Sequence, residues 1–424
     1  MVVASADVVI TGAGPAGSAA AHYLSRYGIN TILLEKAEFP RDKTCGDGLT
    51  PRAVSELIRM GFPIPEAEGW VRNYGIRAYG GGHAIEVPWP ELASQPNYGS
   101  ALPRKELDEK LARFAQKSGA DLREGCTVTA PIQDKAGRIT GVKVIPTADK
   151  KAPEAEIKAK FVLDASGVSA RLAVATGREK NMRRPMGVAV RTYFASPLAS
   201  TDMMESYLEL WAGAAGKSEL LPGYGWAFAV GNGLVNVGLG SLSSTARPTG
   251  INYRKVFNTW MQNVPPEWGF TAENQRGPLQ SAALPMAFNR KPHYGDGLLL
   301  LGDAGGMVSP FNGEGIAYAL ASGRLAAEFI AQALGRNSVA AQDRVLQQYE
   351  AELRAELGGY YTLGRIFAAL IERPEIMHLC VKYGLPRPVL MKLVMKLLSD
   401  NYDRRGGDWM DKVITALTKA VPKA

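Results

Sequence analysis

The run Asp7-Val-Val-Ile-Thr11-Gly12-Ala-Gly14-Pro15-Ala16-Gly17, answered by Glu35 at the end of a second apolar run, constrains this chain more than any other feature. A short β-branched stretch, three glycines spaced Gly-x-Gly-x-x-Gly and an alanine-rich stretch to about residue 27 give strand, tight turn and helix. Thr31-Ile-Leu-Leu-Glu35 then returns as a second strand, which completes a βαβ unit. Gly12 permits the turn, Gly14 lets a pyrophosphate approach the backbone, and Gly17 lets helix and strand pack closely. The helix start offers unpaired N–H groups and partial positive charge to phosphate. Glu35 stands where a carboxylate accepts from both hydroxyls of a ribose. A dinucleotide site follows.

At 424 residues the chain exceeds one ordinary core, so two associated domains are expected, and 46 glycines suit an α/β nucleotide-binding architecture. Cys45, Cys126 and Cys380 are too few and too far apart for a disulfide framework, so a reducing, cytoplasmic setting is expected. The first residues carry no basic leader, and no window of about 18 apolar residues spans a bilayer. Of the net charge of +8, much lies in residues 381–424, where nine Lys/Arg face four Asp. That bias points to an anionic surface such as lipid headgroups, the alternative being a solvated helix face. Nucleic acid is not among the expected partners. The four histidines lack metal-ligand spacing, and no metal site is expected.

Helices are expected over 51–59 and 104–118, and strands within 121–145 and over 157–164. Between about 185 and 290 short alternating strands with aromatic residues suggest an inserted β-rich domain. The nucleotide-domain style returns at Gly297-Leu-Leu-Leu-Leu-Gly-Asp303 and a helix over 315–334. The expected division is a discontinuous nucleotide-binding domain (1–75, 100–184 and 291–344), a β-rich substrate domain (76–99 and 185–290) and a helical C-terminal region (345–424). There, Lys392 and Lys396 fall on one face of an apolar helical stretch, and Trp409, Met410, Val413, Ile414 and Leu417 form a second apolar stripe. Such segments can lie in a membrane interface, with core packing as the alternative.

Leu163-Asp-Ala-Ser-Gly-Val-Ser-Ala-Arg171, Leu301-Gly-Asp303-Ala-Gly-Gly306 and Arg104-Lys-Glu-Leu-Asp108 resemble three further fingerprints of the aromatic-hydroxylase-like flavoproteins. That resemblance implies a Rossmann-type α/β fold binding FAD, with Asp303 on the ribityl chain and Arg104 near the cofactor. Lys43-Thr-Cys45-Gly46-Asp-Gly-Leu49, Tyr224-Gly-Trp226-Ala-Phe228-Ala229 with Val237-Gly238, and Pro310-Phe-Asn-Gly313-Glu-Gly315 resemble segments of the geranylgeranyl reductase family, nearest its actinobacterial menaquinone-reducing branch. Ala229 replaces a family proline. The resemblance implies that the Cys45 loop lies beside the isoalloxazine ring and that the 310–315 loop meets its pyrimidine edge. The implied cofactor contacts are Gly12, Gly14, Pro15, Ala16, Gly17, Glu35 and Lys36, then Cys45, Gly46, Arg104, Val128, Asp303, Gly313, Gly315 and Ile316.

The family reduces carbon–carbon double bonds of isoprenoid chains, so the implied activity is an FAD-dependent reductase acting on the prenyl tail of menaquinone, or else on geranylgeranyl diphosphate or another prenyl lipid. Cys45, Tyr224, Trp226 and Phe228 are the candidate catalytic residues. The aromatic trio would shape a tunnel and favour developing positive charge, the alternative being a core stripe of a β-sheet. Cys45 would tune the flavin, donate a proton or simply pack. The electron donor would be ferredoxin, NADPH or a quinone-linked reductant, and a lipid substrate implies attachment to the inner face of the cell membrane. The rivals are a flavin monooxygenase or halogenase and a non-catalytic prenyl-lipid escort.

Overall fold

Strand Val2–Thr11 pairs in parallel with Thr31–Leu34 on one side and Ala155–Asp164 on the other, and Asp121–Arg123 and Leu298–Leu300 extend this parallel core. In this computed structural model, residues 2–214, 216–243 and 251–424 are described. The continuous apolar runs of these strands are explained by burial on both faces. Val8, Ile10, Leu33 and Leu163 pack with helices Pro15–Arg26 and Ile316–Leu334, while Val9, Ile32, Leu34 and Val162 pack beneath Cys126–Gln133 and Ile139–Pro146. The segment 297–303 supplies a strand over Leu298–Leu300, and Gly302 then turns to φ +53° and opens a 3₁₀ turn, Gly302–Gly305.

The second sheet orders Gln275–Pro285, Met186–Ala195, Leu234–Ser243, Gly223–Ala229, Met203–Tyr207, Gly75–Gly80 and His83–Pro88. Its pairings are antiparallel except for Met203–Tyr207 with Gly75–Gly80. Period-two alternation separates its faces. Ala227, Val237 and Leu239 pack with Trp260 on one side, and Tyr224, Trp226 and Phe228 gather with Met204 and Met395 on the other.

The C-terminal helices cover that second face. Helix Val339–Ile371, started by the Ser338 cap, runs straight through the expected junction at 344/345. Pro374–Leu379, a π turn at Cys380–Gly384, Pro388–Leu398 and Trp409–Ala420 follow. Two expectations need correction here. Lys396 is buried, not a surface lysine beside Lys392, because its ammonium bonds Asp408 and Asp411, each at 2.8 Å. The stripe from Trp409 divides: Met410 and Ile414 enter the core, while Trp409, Val413 and Leu417 stay exposed. Among the described residues, no helix is long and apolar enough to cross a membrane.

Candidate active site

Both sheets and the C-terminal helices line one cavity of about 830 Å³. Its first end is the glycine turn. A Cβ on Gly12 would lie 2.4 Å from the Ala165 carbonyl oxygen, and one on Gly17 would lie 1.9 Å from that of Gly12, so backbone packs on backbone at both. Gly14 differs. A Cβ there would meet nothing nearer than 3.9 Å, and Gly14, Pro15 and Ala16 line the cavity whereas Gly17 stays behind it. The helix beginning at Pro15 has no side-chain cap, which leaves its first N–H groups for an anion.

Glu35 ends its strand buried, with Oε2 accepting from Ala13 N at 3.1 Å and Oε1 from Ala37 N at 3.2 Å. Lys36 and Val128 line the same end of the cavity. Arg41 spans Glu35 and Asp108, and Arg104 grips Asp108 through two bonds of 2.6 and 2.8 Å. Burial pushes the Asp108 carboxyl up, but Arg104 and Arg41 outweigh it and hold the group below its ordinary value. These residues fit the ADP half of a dinucleotide: an uncapped helix start, an open glycine and a carboxylate in line.

The loop that follows is held residue by residue. Asp42 receives Arg191 at 2.7 Å, Lys43 reaches Asp303 at 3.0 Å, and Asn236 donates to the Cys45 carbonyl at 2.8 Å. The Cys45 thiol lies beside the Arg104 guanidinium. Gly46 packs directly on the aromatic strand, since a Cβ there would sit 3.4 Å from Trp226 Nε1 and 3.5 Å from Phe228 Cε2. Gly46, Asp303, Gly313, Gly315 and Ile316 all line the cavity, as do Cys45, Tyr224, Trp226 and Phe228. Tyr224 donates to the Asn312 carbonyl at 2.7 Å, which ties the aromatic strand to the 310–315 loop. Beyond the aromatic face the wall is apolar, with Val87, Trp89, Met204, Leu385, Met391 and Met395.

Asp47, Tyr193 and Asn236, which sequence reasoning did not single out as site residues, brace the Cys45 loop. Asp47 takes φ +63° and is fully buried, accepting from Tyr193, Asn236 and Arg104 N. Burial pushes its carboxyl up to about 6 against the pull of those donors and of Arg191. Asn236 also accepts from Trp226 Nε1 at 2.9 Å. A polar residue at an inward position of Leu234-Val-Asn-Val was the available signal. Glu314, quoted only as part of a motif, also lines the cavity.

The chain matches the family described as FAD binding domain over residues 5–357. It is 35% identical over 408 residues to the menaquinone reductase of Mycolicibacterium smegmatis, an alignment covering 96% of this chain and 95% of that protein. It is 26% identical over 351 residues to the digeranylgeranylglycerophospholipid reductase of Thermoplasma acidophilum, covering 81% and 82%. A crystal structure of a geranylgeranyl bacteriochlorophyll reductase-like protein from Thermoplasma acidophilum superposes with a TM-score of 0.77 at 21% identity, over 98% of this chain and 99% of that one. At that identity the likeness is one of fold.

Proposed function

This chain belongs to the FAD-binding-domain family, and on that premise we propose that it is an FAD-dependent reductase that saturates a carbon–carbon double bond in the prenyl tail of menaquinone. One observation carries the reading: the cavity that starts at the dinucleotide turn continues past the aromatic face into an apolar wall of Trp89, Leu385, Met391 and Met395. A polar aromatic substrate, as a monooxygenase or halogenase takes, leaves that wall unused, whereas an isoprenoid chain fills it. The names of the relatives, a menaquinone reductase and a prenyl-lipid reductase, support the same reading.

When bound, reduced FAD supplies a hydride. The protein positions the alkene and excludes water. Gly12, Gly14 and Glu35 would hold the ADP portion, Asp303 the ribityl chain, and the Cys45–Gly46 loop with Gly313 and Gly315 the ring. Tyr224, Trp226 and Phe228 wall the substrate side, where their π faces favour charge that develops positively on an alkene lacking a carbonyl.

A lipid substrate also supports peripheral attachment to the inner membrane face. The segments that wall the apolar end carry exposed Leu379, Tyr383, Val389 and Leu390 beside Lys382, Arg387 and Lys392. The test is anaerobic: dithionite-reduced holoenzyme mixed with menaquinone yields, once the headgroup has been reoxidised in air, a quinone heavier by two daltons. Oxygen-dependent hydroxylation or halogenation without saturation overturns the reading, and colourless protein that takes up no FAD favours an escort. Supplying ferredoxin, NADPH or a quinone-linked reductant in turn identifies the electron donor.

A further inference from the structure

Saturating an alkene needs a proton as well as a hydride, and the cavity wall holds a carboxyl suited to give one. Glu314 Oε1 accepts from the Thr50 hydroxyl at 2.7 Å. Its Oε2 is shielded from solvent and has no partner among the described residues. A buried carboxylate oxygen without a donor is costly when charged, but a carboxylic acid carries its own hydrogen there. The side chain sits in the 310–315 loop, two residues from the Asn312 carbonyl that anchors Tyr224. It therefore joins the wall between the flavin loops and the aromatic strand.

We propose that Glu314 is the proton source for the double-bond saturation, an assignment that rests on the prenyl-reductase reading above. The Glu314 O–H bond breaks as a C–H bond forms at one alkene carbon with the π pair. The other carbon receives the hydride supplied by reduced FAD, so two electrons pass from flavin to alkene, and the Glu314 carboxylate regains a proton from solvent.

The electrostatics agree. Burial pushes Glu314 up to about 7, with Asp400 adding to the shift and Thr50 and Arg52 opposing it. Tyr224, Tyr318, Tyr360 and Tyr361 complete the titratable groups that sense it. An acid poised near working pH is the efficient one. Tyr224 is the weaker donor, because its proton already serves Asn312 and burial, then Glu314 and Cys45, raise its phenol further.

The test uses FAD-loaded wild type, E314Q and E314D. Infrared spectra of the oxidised holoenzymes between pH 5 and 9 read the carboxyl directly: a protonated-carboxyl band titrating near pH 7 is expected in wild type and absent in E314Q. With FAD affinity and flavin reduction unchanged, anaerobic saturation of menaquinone in detergent micelles falls at least about 100-fold in E314Q and is partly restored in E314D. Saturation by E314Q within about threefold of a working wild type, or no such band in wild type, overturns the assignment and leaves the reductase reading standing. Failure of wild type to saturate any prenyl chain overturns that reading, and the assignment with it.

Discussion

The Tyr193 hydroxyl donates to Asp47 Oδ2 at 2.6 Å, joining the second sheet to the loop that carries Cys45 and Gly46. Asn236 shares the same carboxylate oxygen at 2.7 Å, and Arg104 N, at the start of the helix Arg104–Lys117, takes the other at 3.1 Å. One carboxylate thus gathers two adjacent antiparallel strands of the second sheet, a helix start and the loop. Its left-handed backbone and full burial fix the height of Gly46 against Trp226 and Phe228.

Removing a donor to this buried carboxylate destabilises the fold. Tyr193→Phe is expected to cost about 1.5–3 kcal/mol in urea unfolding of the apoprotein. Asn236→Ala costs more, because it also strands Trp226 Nε1 and the Cys45 carbonyl. The pH dependence has a definite sign. Asp47 is raised from 3.8 to about 6, so its contribution to stability is present below pH 4 and lost as pH rises through 6. Wild type should therefore lose about 3 kcal/mol relative to Asp47→Asn between pH 4 and 7. A pH-independent difference between the two proteins contradicts the burial argument.

The two kinds of glycine in the first turn separate binding from folding. Gly17→Ala forces a Cβ onto the Gly12 carbonyl and should destabilise the protein by about 1–3 kcal/mol or more. Gly14→Ala meets no protein atom within 3.9 Å, so thermal stability changes by about 1 kcal/mol or less. The new methyl occupies the approach of the pyrophosphate, and FAD affinity by fluorescence titration should fall about tenfold or more. Equal affinity in Gly14→Ala and wild type would place the diphosphate elsewhere.

What the sequence revealed, and what it hid, divides by the range of the interactions. The glycine turn and Glu35 were legible because their geometry is local, set within one βαβ unit. Tyr224, Trp226 and Phe228 were legible as a shared face because strand periodicity is two. The Asp47 network was not, since Tyr193 and Asn236 lie 146 and 189 residues away and meet it only in the tertiary fold. Lys396 misled for a related reason: helical periodicity reads a lysine as solvated, and its carboxylates, Asp408 and Asp411, arrive from beyond the next turn.

The C-terminal helices are held by a buried charge cluster. Arg52, beside the Cys45 loop, pairs with Asp400 at 2.6 Å and Glu356 at 2.8 Å. Breaking such a pair leaves an uncompensated charge in the interior. Asp400→Ala should destabilise the protein by about 3–5 kcal/mol. Limited proteolysis of that variant should cut first in the segment after Ile371, which caps the apolar end of the cavity; global unfolding without this early cleavage would show that the cluster does not act as a local clamp.

Membrane attachment has a surface test. Val389, at the start of the helix whose Met391 and Met395 wall the cavity, is 60% exposed, and Tyr383 in the preceding turn is 55% exposed. Insertion of this helix start would bury apolar surface at about 25 cal/mol per Å², while Lys382, Arg387 and Lys392 each add about 1 kcal/mol near an anionic leaflet. The holoenzyme should therefore sediment with phosphatidylglycerol vesicles, less so as salt rises. The double variant Y383E/V389E, which changes neither a buried nor a cavity-lining side chain, should bind them about tenfold or more weakly. Its saturation of menaquinone in detergent micelles should persist while saturation in vesicles falls, because only vesicles require the lipid to leave a bilayer. Equal loss in micelles and vesicles would instead assign Tyr383 and Val389 to substrate entry, with membrane docking carried by another face.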